Sequence, residues 1–184
     1  RFKKEIAILT VLKKYPQCKI YDYDSKKRAM LLERIKPGDY IDFYDDQEQI
    51  KQMFINMENN KEKAENVQHS SYLRGVKELT EIEYEESQKV DYHNKLMAYL
   101  MEEMRRIYKE TFENDEKFVL HGDAYFKNTL RGEDEIKVID PVGYNAPFIF
   151  EYMPFFTYEI LWHSKDKNYK EKYNELIDYF ETFT

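Results

Sequence analysis

Directly after the apolar run Phe118-Val119-Leu120 come His121-Gly122-Asp123, with Asn128 five positions past the aspartate and Asp140, in Ile139-Asp140-Pro141, seventeen positions past it. This spacing leaves the chain few options. Ala124 to Lys127 is too short for more than a loop or a single turn. Asn128-Thr129-Leu130-Arg131, the breaker cluster Gly132-Glu133-Asp134 and Glu135 to Asp140 read together as a β-hairpin turning at Gly132. Folding about that turn brings Asn128 beside Ile139 and Asp140, so an amide oxygen and a carboxylate converge at one end of the hairpin. Hard oxygen donors of this kind suit Mg²⁺, which takes one or two carboxylates and leaves its other positions to water and phosphate. Asp123, on the adjoining loop, is free to meet a substrate hydroxyl. A carboxylate for the attacking hydroxyl and oxygen ligands for a phosphate-bound metal are the parts that phosphoryl transfer needs. A surface hairpin with ordinary turn-forming Asp and Asn residues is the plainer account, and it leaves the coincident positions unexplained.

The rest of the chain reads as a mostly helical body with small sheet elements. Phe2, Ile6, Leu9 and Leu12 recur at helical spacing, and Pro16 closes that helix. Lys19 to Asp24 and Arg28 to Ile35 read as two strands around the polar turn Ser25-Lys26-Lys27, with Pro37-Gly38 breaking the second. Asp46 to Met57 is predicted helical, and Glu58 to Ser71 a loop or frayed helix. From Val90 to Phe112, Met97, Leu100, Met101, Met104, Ile107 and Tyr108 form one apolar stripe at spacings of three and four, which core packing explains better than ligand binding. Residues 148 to 163 and 168 to 183 read as two more helices, the first largely buried.

These segments resemble the aminoglycoside phosphotransferase superfamily, whose fold is that of the protein kinases. His-Gly-Asp with Asn five residues on, then Ile-Asp-Pro, is similar to its catalytic and metal-binding segments. Ala29 to Gly38 resembles the strand and hinge between the two lobes, in the Leu32-Glu33-Arg34 form seen in streptomycin 6-kinase-like members. Arg1 to Tyr15 resembles the small-lobe helix that carries an ion-pairing glutamate. The resemblance implies an α+β, protein-kinase-like chain: residues 1–35 a remnant of the N-terminal lobe, residues 36–184 a mainly helical C-terminal lobe. It implies ATP and Mg²⁺, with Asp123 as base, Asn128 and Asp140 as metal ligands, the backbone of Glu33 and Ile35 at the adenine, and Glu5 as the ion-pairing residue of the nucleotide site. The implied activity is a small-molecule kinase, with an aminoglycoside the best single acceptor. A fructosamine or other sugar or amine kinase of the same fold is the alternative, and a nucleotide-binding module without catalysis is the reading from another class.

The chain also departs from the pattern. None of its five glycines falls at G-x-G-x-x-G spacing, so it carries no phosphate-cradling loop. The strands that would hold that loop and a phosphate-binding lysine are missing. A fragment of a longer kinase is expected, with little or no activity alone. After Asp140 the family shows an acidic residue on a helix, and Glu151 is the nearest acid here.

Charge narrows the partners. Thirty-six acidic against 29 basic side chains, net -7, disfavour nonspecific attraction to nucleic acid or anionic membrane and favour a cationic substrate. Two acidic clusters, Asp42-Asp45-Asp46-Glu48 and Glu78-Glu81-Glu83-Glu85-Glu86, read first as solvated faces and second as a rim for an aminoglycoside. The single Cys18 excludes an internal disulfide, and a cytoplasmic location is expected. His69, His93 and His163 have no partner at metal-ligand spacing, so zinc is not expected. His121 is expected to donate a hydrogen bond that holds the catalytic loop, Lys127 to face either a phosphate or solvent, and Trp162 with the aromatic run from Tyr144 to Tyr158 to be core.

Overall fold

The computed structural model describes residues 2–66, 73–75, 102–163 and 168–183. Helix α1 (Phe2–Val11) buries Ile8 and Leu9, with Leu12 just beyond its end, while Phe2 and Ile6 are only half-buried. The inward stripe is thus rotated from the one its spacing predicts. The cause is contact with a glycine: a Cβ at Gly143 would lie 2.2 Å from Ile8 Cδ1, so Ile8 fills the space that Gly143 leaves.

Strands β1 (Ile20–Asp24) and β2 (Ala29–Leu32) form an antiparallel pair, shorter than expected, running from Ile20 opposite Leu32 to Asp24 opposite Ala29. Asp24 closes the turn by accepting the N–H groups of Lys26 (2.9 Å) and Lys27 (3.0 Å). Pro37 and Gly38, the latter at φ +81°, then redirect the chain into helix α2 (Gln47–Asn59). That helix buries Ile50, Met53, Phe54 and Met57, the three-and-four spacing of an amphipathic helix.

Strands β3 (Arg74–Gly75), β4 (Phe118–Leu120), β5 (Thr129–Arg131), β6 (Ile136–Val138) and β7 (Tyr144–Ala146) follow. β7 lies between β3, to which it is parallel, and β4, to which it is antiparallel. All three side chains of β4 are buried, which explains why the run before the His-Gly-Asp motif is uniformly apolar. β5 and β6 form the expected hairpin in the register Thr129–Val138, Leu130–Lys137, Arg131–Ile136. Tyr40 bridges Leu130 on one side of it and Gln17 bridges Val138 on the other, so the segments before β1 and after β2 both attach to the same hairpin.

Helices α3 (Met153–His163) and α4 (Tyr169–Glu181) pack on α2 through aromatic rings. Phe54 meets Tyr152, Phe155, Phe180 and Phe183 with centroids 4.9–6.0 Å apart. α3 is less buried than expected, since Met153 and Tyr158 are exposed while Phe155 is fully enclosed. Of the predicted helix from Val90 to Phe112, residues 102–107 are helical and Tyr108–Phe112 form a π-helical turn; the earlier part lies outside the described residues. Only part of its stripe is core: Tyr108 is buried, but Met104 and Ile107 are exposed, because this face meets no neighbour among the described residues that covers them. The cluster Glu78 to Glu86, His69, His93 and the side chains of Trp162 and His163 also lie outside what is described. Among the described residues, no helix is long and apolar enough to cross a membrane.

Candidate active site

The turn that follows His121 requires glycine. Gly122 sits at φ +76°, and a Cβ there would lie 2.2 Å from Tyr144 Cδ2 on the neighbouring strand. Its N–H and that of His121 both point inward, and Glu151 meets them with its two carboxylate oxygens, at 3.0 Å and 2.8 Å. Glu151 is fully buried, and that burial raises its carboxyl to about 7 against the pull of the two amides. On the other flank of the turn, the His121 carbonyl accepts the N–H groups of Val142 (3.0 Å) and Gly143 (2.9 Å), which joins the His-Gly-Asp segment to the chain just past Asp140.

His121 does hold the loop, but as an acceptor rather than the expected donor: its Nδ1 takes the Asp123 N–H at 3.3 Å. Acceptance at Nδ1 places the ring proton on Nε2. That atom is buried without a hydrogen bond of ordinary geometry, although the Ile139 carbonyl acts on the ring from nearby. Burial lowers the imidazole to about 4, so it stays neutral at physiological pH.

The structure brings Asp123, Asn128 and the Asp140 segment together. Asn128 Nδ2 donates to the Asp123 carboxylate (2.7 Å) and carbonyl (3.1 Å), and the Asn128 carbonyl accepts the Ile139 N–H (2.9 Å), as folding about Gly132 requires. Asp123 is half-buried and its carboxyl rises to about 6; burial is the main cause, the Asn128 hydrogen bond opposes it, and the charge of Asp140 adds to it. Asp140 is exposed and held at φ +55°, an unusual conformation for a residue with a Cβ.

These residues fit a magnesium ion. Asn128 turns its Nδ2 to Asp123, and the Ile139 N–H on its carbonyl keeps the residue beside the Asp140 segment, so an amide oxygen and a carboxylate, both hard donors, are supplied by adjoining stretches of chain. Among the described residues no group of three or more His, Cys, Asp or Glu side chains forms a cage. A sparse set is what an ion that keeps water and phosphate as ligands requires.

The hinge residues stand apart from this cluster. Glu33 and Ile35 line a polar cleft of about 380 Å³ with Lys19, Arg34, Lys36 and the hairpin turn. The Glu33 N–H is taken by the Lys19 carbonyl (2.8 Å), whereas the Ile35 N–H has no protein acceptor among the described residues. Glu5 lies on α1, one turn before Ile8, on the helix that packs against the segment following Asp140.

Several neighbours were not foreseen. In the sequence Glu151 stands out only as the nearest acid after Asp140, 30 residues from the amide it accepts. Tyr125 stacks on Tyr158 with centroids 4.0 Å apart and planes 18° from parallel. Tyr158 is 40% exposed, so this part of the aromatic run is surface rather than core. The Tyr125 hydroxyl is raised by burial and then by Asp123, Tyr158, Asp140 and Tyr40, which locates the ring beside the carboxylates. Asp46, read as part of a solvated face, is 5% exposed and paired with Arg131. Lys127 is exposed, with its ammonium 5.8 Å from the Phe126 ring.

No protein-family model matches the sequence, and no characterised protein matches it significantly. Among solved structures, choline kinase LicA from Streptococcus pneumoniae superposes with a TM-score of 0.61 over 96% of this chain, at 11% sequence identity. The fold is kinase-like. The chain spans 61% of the length of that choline kinase. At this identity the likeness shows the fold alone, and a fold does not fix a substrate.

Proposed function

We propose that the protein is an ATP-dependent phosphotransferase acting on a hydroxyl of a small cationic molecule. The observation that carries this reading is the hydrogen-bonded pair Asp123–Asn128 beside Asp140, on a loop anchored from below by Glu151. Asp123 orients the acceptor hydroxyl and takes its proton as the oxygen attacks the γ-phosphorus and the bond to the β-phosphate oxygen breaks, releasing ADP. Asn128 and Asp140 would hold Mg²⁺, which would supply neutralisation of phosphate charge at the site. The open Ile35 N–H and the Glu33 carbonyl take the adenine edge, and Glu5 orders the phosphate side. Residues 1–35 serve as the small-lobe portion and residues 36–184 as the large lobe.

For the acceptor, the Tyr125–Tyr158 stack next to two carboxylates favours a positive charge, because ring faces and carboxylates both attract cations. An aminoglycoside satisfies this chemistry. A compact amino alcohol of the kind named by the choline kinase neighbour satisfies it with less surface, and is the second reading that the stacked rings support. The test is Mg²⁺-dependent ADP release by the full-length protein against aminoglycosides, amino sugars, ketosamines and choline-like alcohols. Stimulation by one class, lost in Asp123→Asn with nucleotide binding kept, is the expected result. Nucleotide binding without stimulation by any acceptor would leave the non-catalytic module as the correct reading.

A further inference from the structure

Gln17 is an amide sealed inside the protein with only part of its hydrogen bonding met. Its side chain lies in a residue only 4% exposed. The Nε2 donates to the Leu9 carbonyl (2.7 Å), one of the carbonyls that the last turn of α1 leaves without a helical partner. The Oε1 is buried with no hydrogen-bond partner among the described residues. An unpaired buried acceptor costs free energy, and a donor brought to it recovers that cost.

Gln17 lines a groove of about 370 Å³ beside α1 and β1, a volume in the range of small-molecule sites. Leu9, Ile20 and Tyr21 make the lining mostly apolar. Lys13 and Lys19 line it too; both are exposed, and neither is ion-paired among the described residues. No Asp or Glu among the described residues lines the groove to balance them. It thus offers apolar walls, one unpaired acceptor and two unpaired cations. Gln17 also connects the groove to the candidate active site. It bridges Val138 on β6, where the Cys18 N–H donates to the Val138 carbonyl (3.0 Å) and the Val138 N–H to the Pro16 carbonyl (2.8 Å). Ile139, next in the chain, is the residue that bonds to the Asn128 carbonyl, and Asp140 follows it.

We propose that this groove is an effector site for a small apolar anion that carries one N–H or O–H donor. The apolar body lies against Leu9, Ile20 and Tyr21, the donor meets Gln17 Oε1, and the charge meets Lys13 and Lys19. The oxygen is covered by the groove wall, so the occupant reaches it by parting side chains rather than backbone. A bound ligand steadies Gln17, and with it the backbone that runs through Val138 to Asp140.

The experiment titrates indolepropionate into the full-length protein, by calorimetry and by amide NMR shifts, beside its N-methyl derivative, which lacks the donor, and its amide, which lacks the charge. Shifts are expected at Leu9, Lys13, Ile20 and Tyr21. The N-methyl probe should bind about tenfold more weakly and the amide about threefold. Lys13→Gln should weaken indolepropionate about threefold and leave the amide unchanged. Thr10→Trp, an exposed position on the same groove, should block all three probes. Hydrogen exchange at the Cys18 and Val138 N–H groups should slow when indolepropionate is bound. A wild-type protein that binds none of the probes overturns the site, and so does binding that Thr10→Trp leaves intact; if that variant does not fold, unchanged indolepropionate affinity in Lys13→Gln decides against it. Equal affinity of the parent and N-methyl probes overturns the role of Gln17, and equal affinity of acid and amide overturns the anionic class. Unchanged exchange at Cys18 and Val138 with the groove filled overturns the connection to β6. Binding is read without turnover, so failure here leaves the phosphotransferase reading standing.

Discussion

Replacing Glu151 by Gln tests whether one buried carboxylate both anchors the catalytic loop and sets part of the pH dependence of stability. Burial raises this carboxyl from 4.5 to about 7, so between those values the folded protein holds a proton that the unfolded chain has lost. Stability from this group is therefore greatest at low pH and falls as pH rises through the window, by about 3 kcal/mol at about 1.4 kcal/mol per unit. Gln has the same shape and does not titrate. Its one carbonyl oxygen can serve either His121 N–H or Gly122 N–H, and its NH₂ then faces the other donor. The lost charge-assisted hydrogen bond costs about 1.5–3 kcal/mol. Near pH 8 the loss is offset by removal of a buried charge, so variant and wild type should agree within about 1 kcal/mol, whereas near pH 5 the variant should be less stable by about 2 kcal/mol. His121 works in the opposite sense: its imidazole is lowered to about 4, so its contribution grows as pH rises toward 6.5. That term is common to both proteins and cancels in their difference. Urea unfolding of both across this range, followed by circular dichroism, gives that difference directly. A stability difference that does not change with pH would refute the assignment, and turnover that survives Glu151→Gln would refute the anchoring role.

Other consequences are open to direct measurement. With Asp123 raised to about 6 and needed in its ionised form, kcat/KM should be full above that pH and fall about tenfold per unit below it. Asp140→Asn removes the like charge and should shift the Asp123 carboxyl titration, followed by NMR without metal, to lower pH; a titration that stays in place contradicts the proximity of the two carboxylates. Gly122→Ala must adopt φ +76° and push its methyl group into Tyr144, which should cost roughly 2–4 kcal/mol in urea unfolding, with part regained in Gly122→Ala/Tyr144→Ala. Tyr158→Ala leaves Tyr125 unstacked and should raise the KM of a quaternary ammonium alcohol several-fold more than that of its uncharged carbon isostere. Equal effects on both acceptors would show the stack to be packing only.

What the sequence disclosed about this site is what the chain itself dictates at short range. Asn128 and Asp140 could be placed together because Gly132 permits one turn, and the Ile139 N–H to Asn128 carbonyl bond of 2.9 Å is the result. Asp46 to Met57 could be read as a helix from the chain alone, and the structure has one over Gln47–Asn59. The misread residues depend on partners that spacing does not specify. Glu151 acts 30 residues from His121, and Arg131 reaches Asp46 across 85. Nothing near Asp46 distinguishes it from Asp42 and Asp45 until the fold shows which of the three is enclosed. The same holds for Tyr158, which belongs to an aromatic run that packs inward except where Tyr125 gives one ring a surface partner.

Those long-range contacts explain why the motif needs the rest of the molecule. Two successive amides, His121 N–H and Gly122 N–H, face a buried space in which water cannot serve them, so the turn that presents Asp123 is stable only when a remote acceptor reaches both. Likewise the segment between β2 and α2 has no regular helix or strand of its own, and its position is set by Arg131 on β5. One side chain thus ties the segment between β2 and α2 to the strand that follows Asn128. The position of that segment and that of the hairpin are then not independent, and a substitution at either Arg131 or Asp46 should loosen both, seen as faster hydrogen exchange at the Gly38 and Ile41 N–H groups that bond to β5.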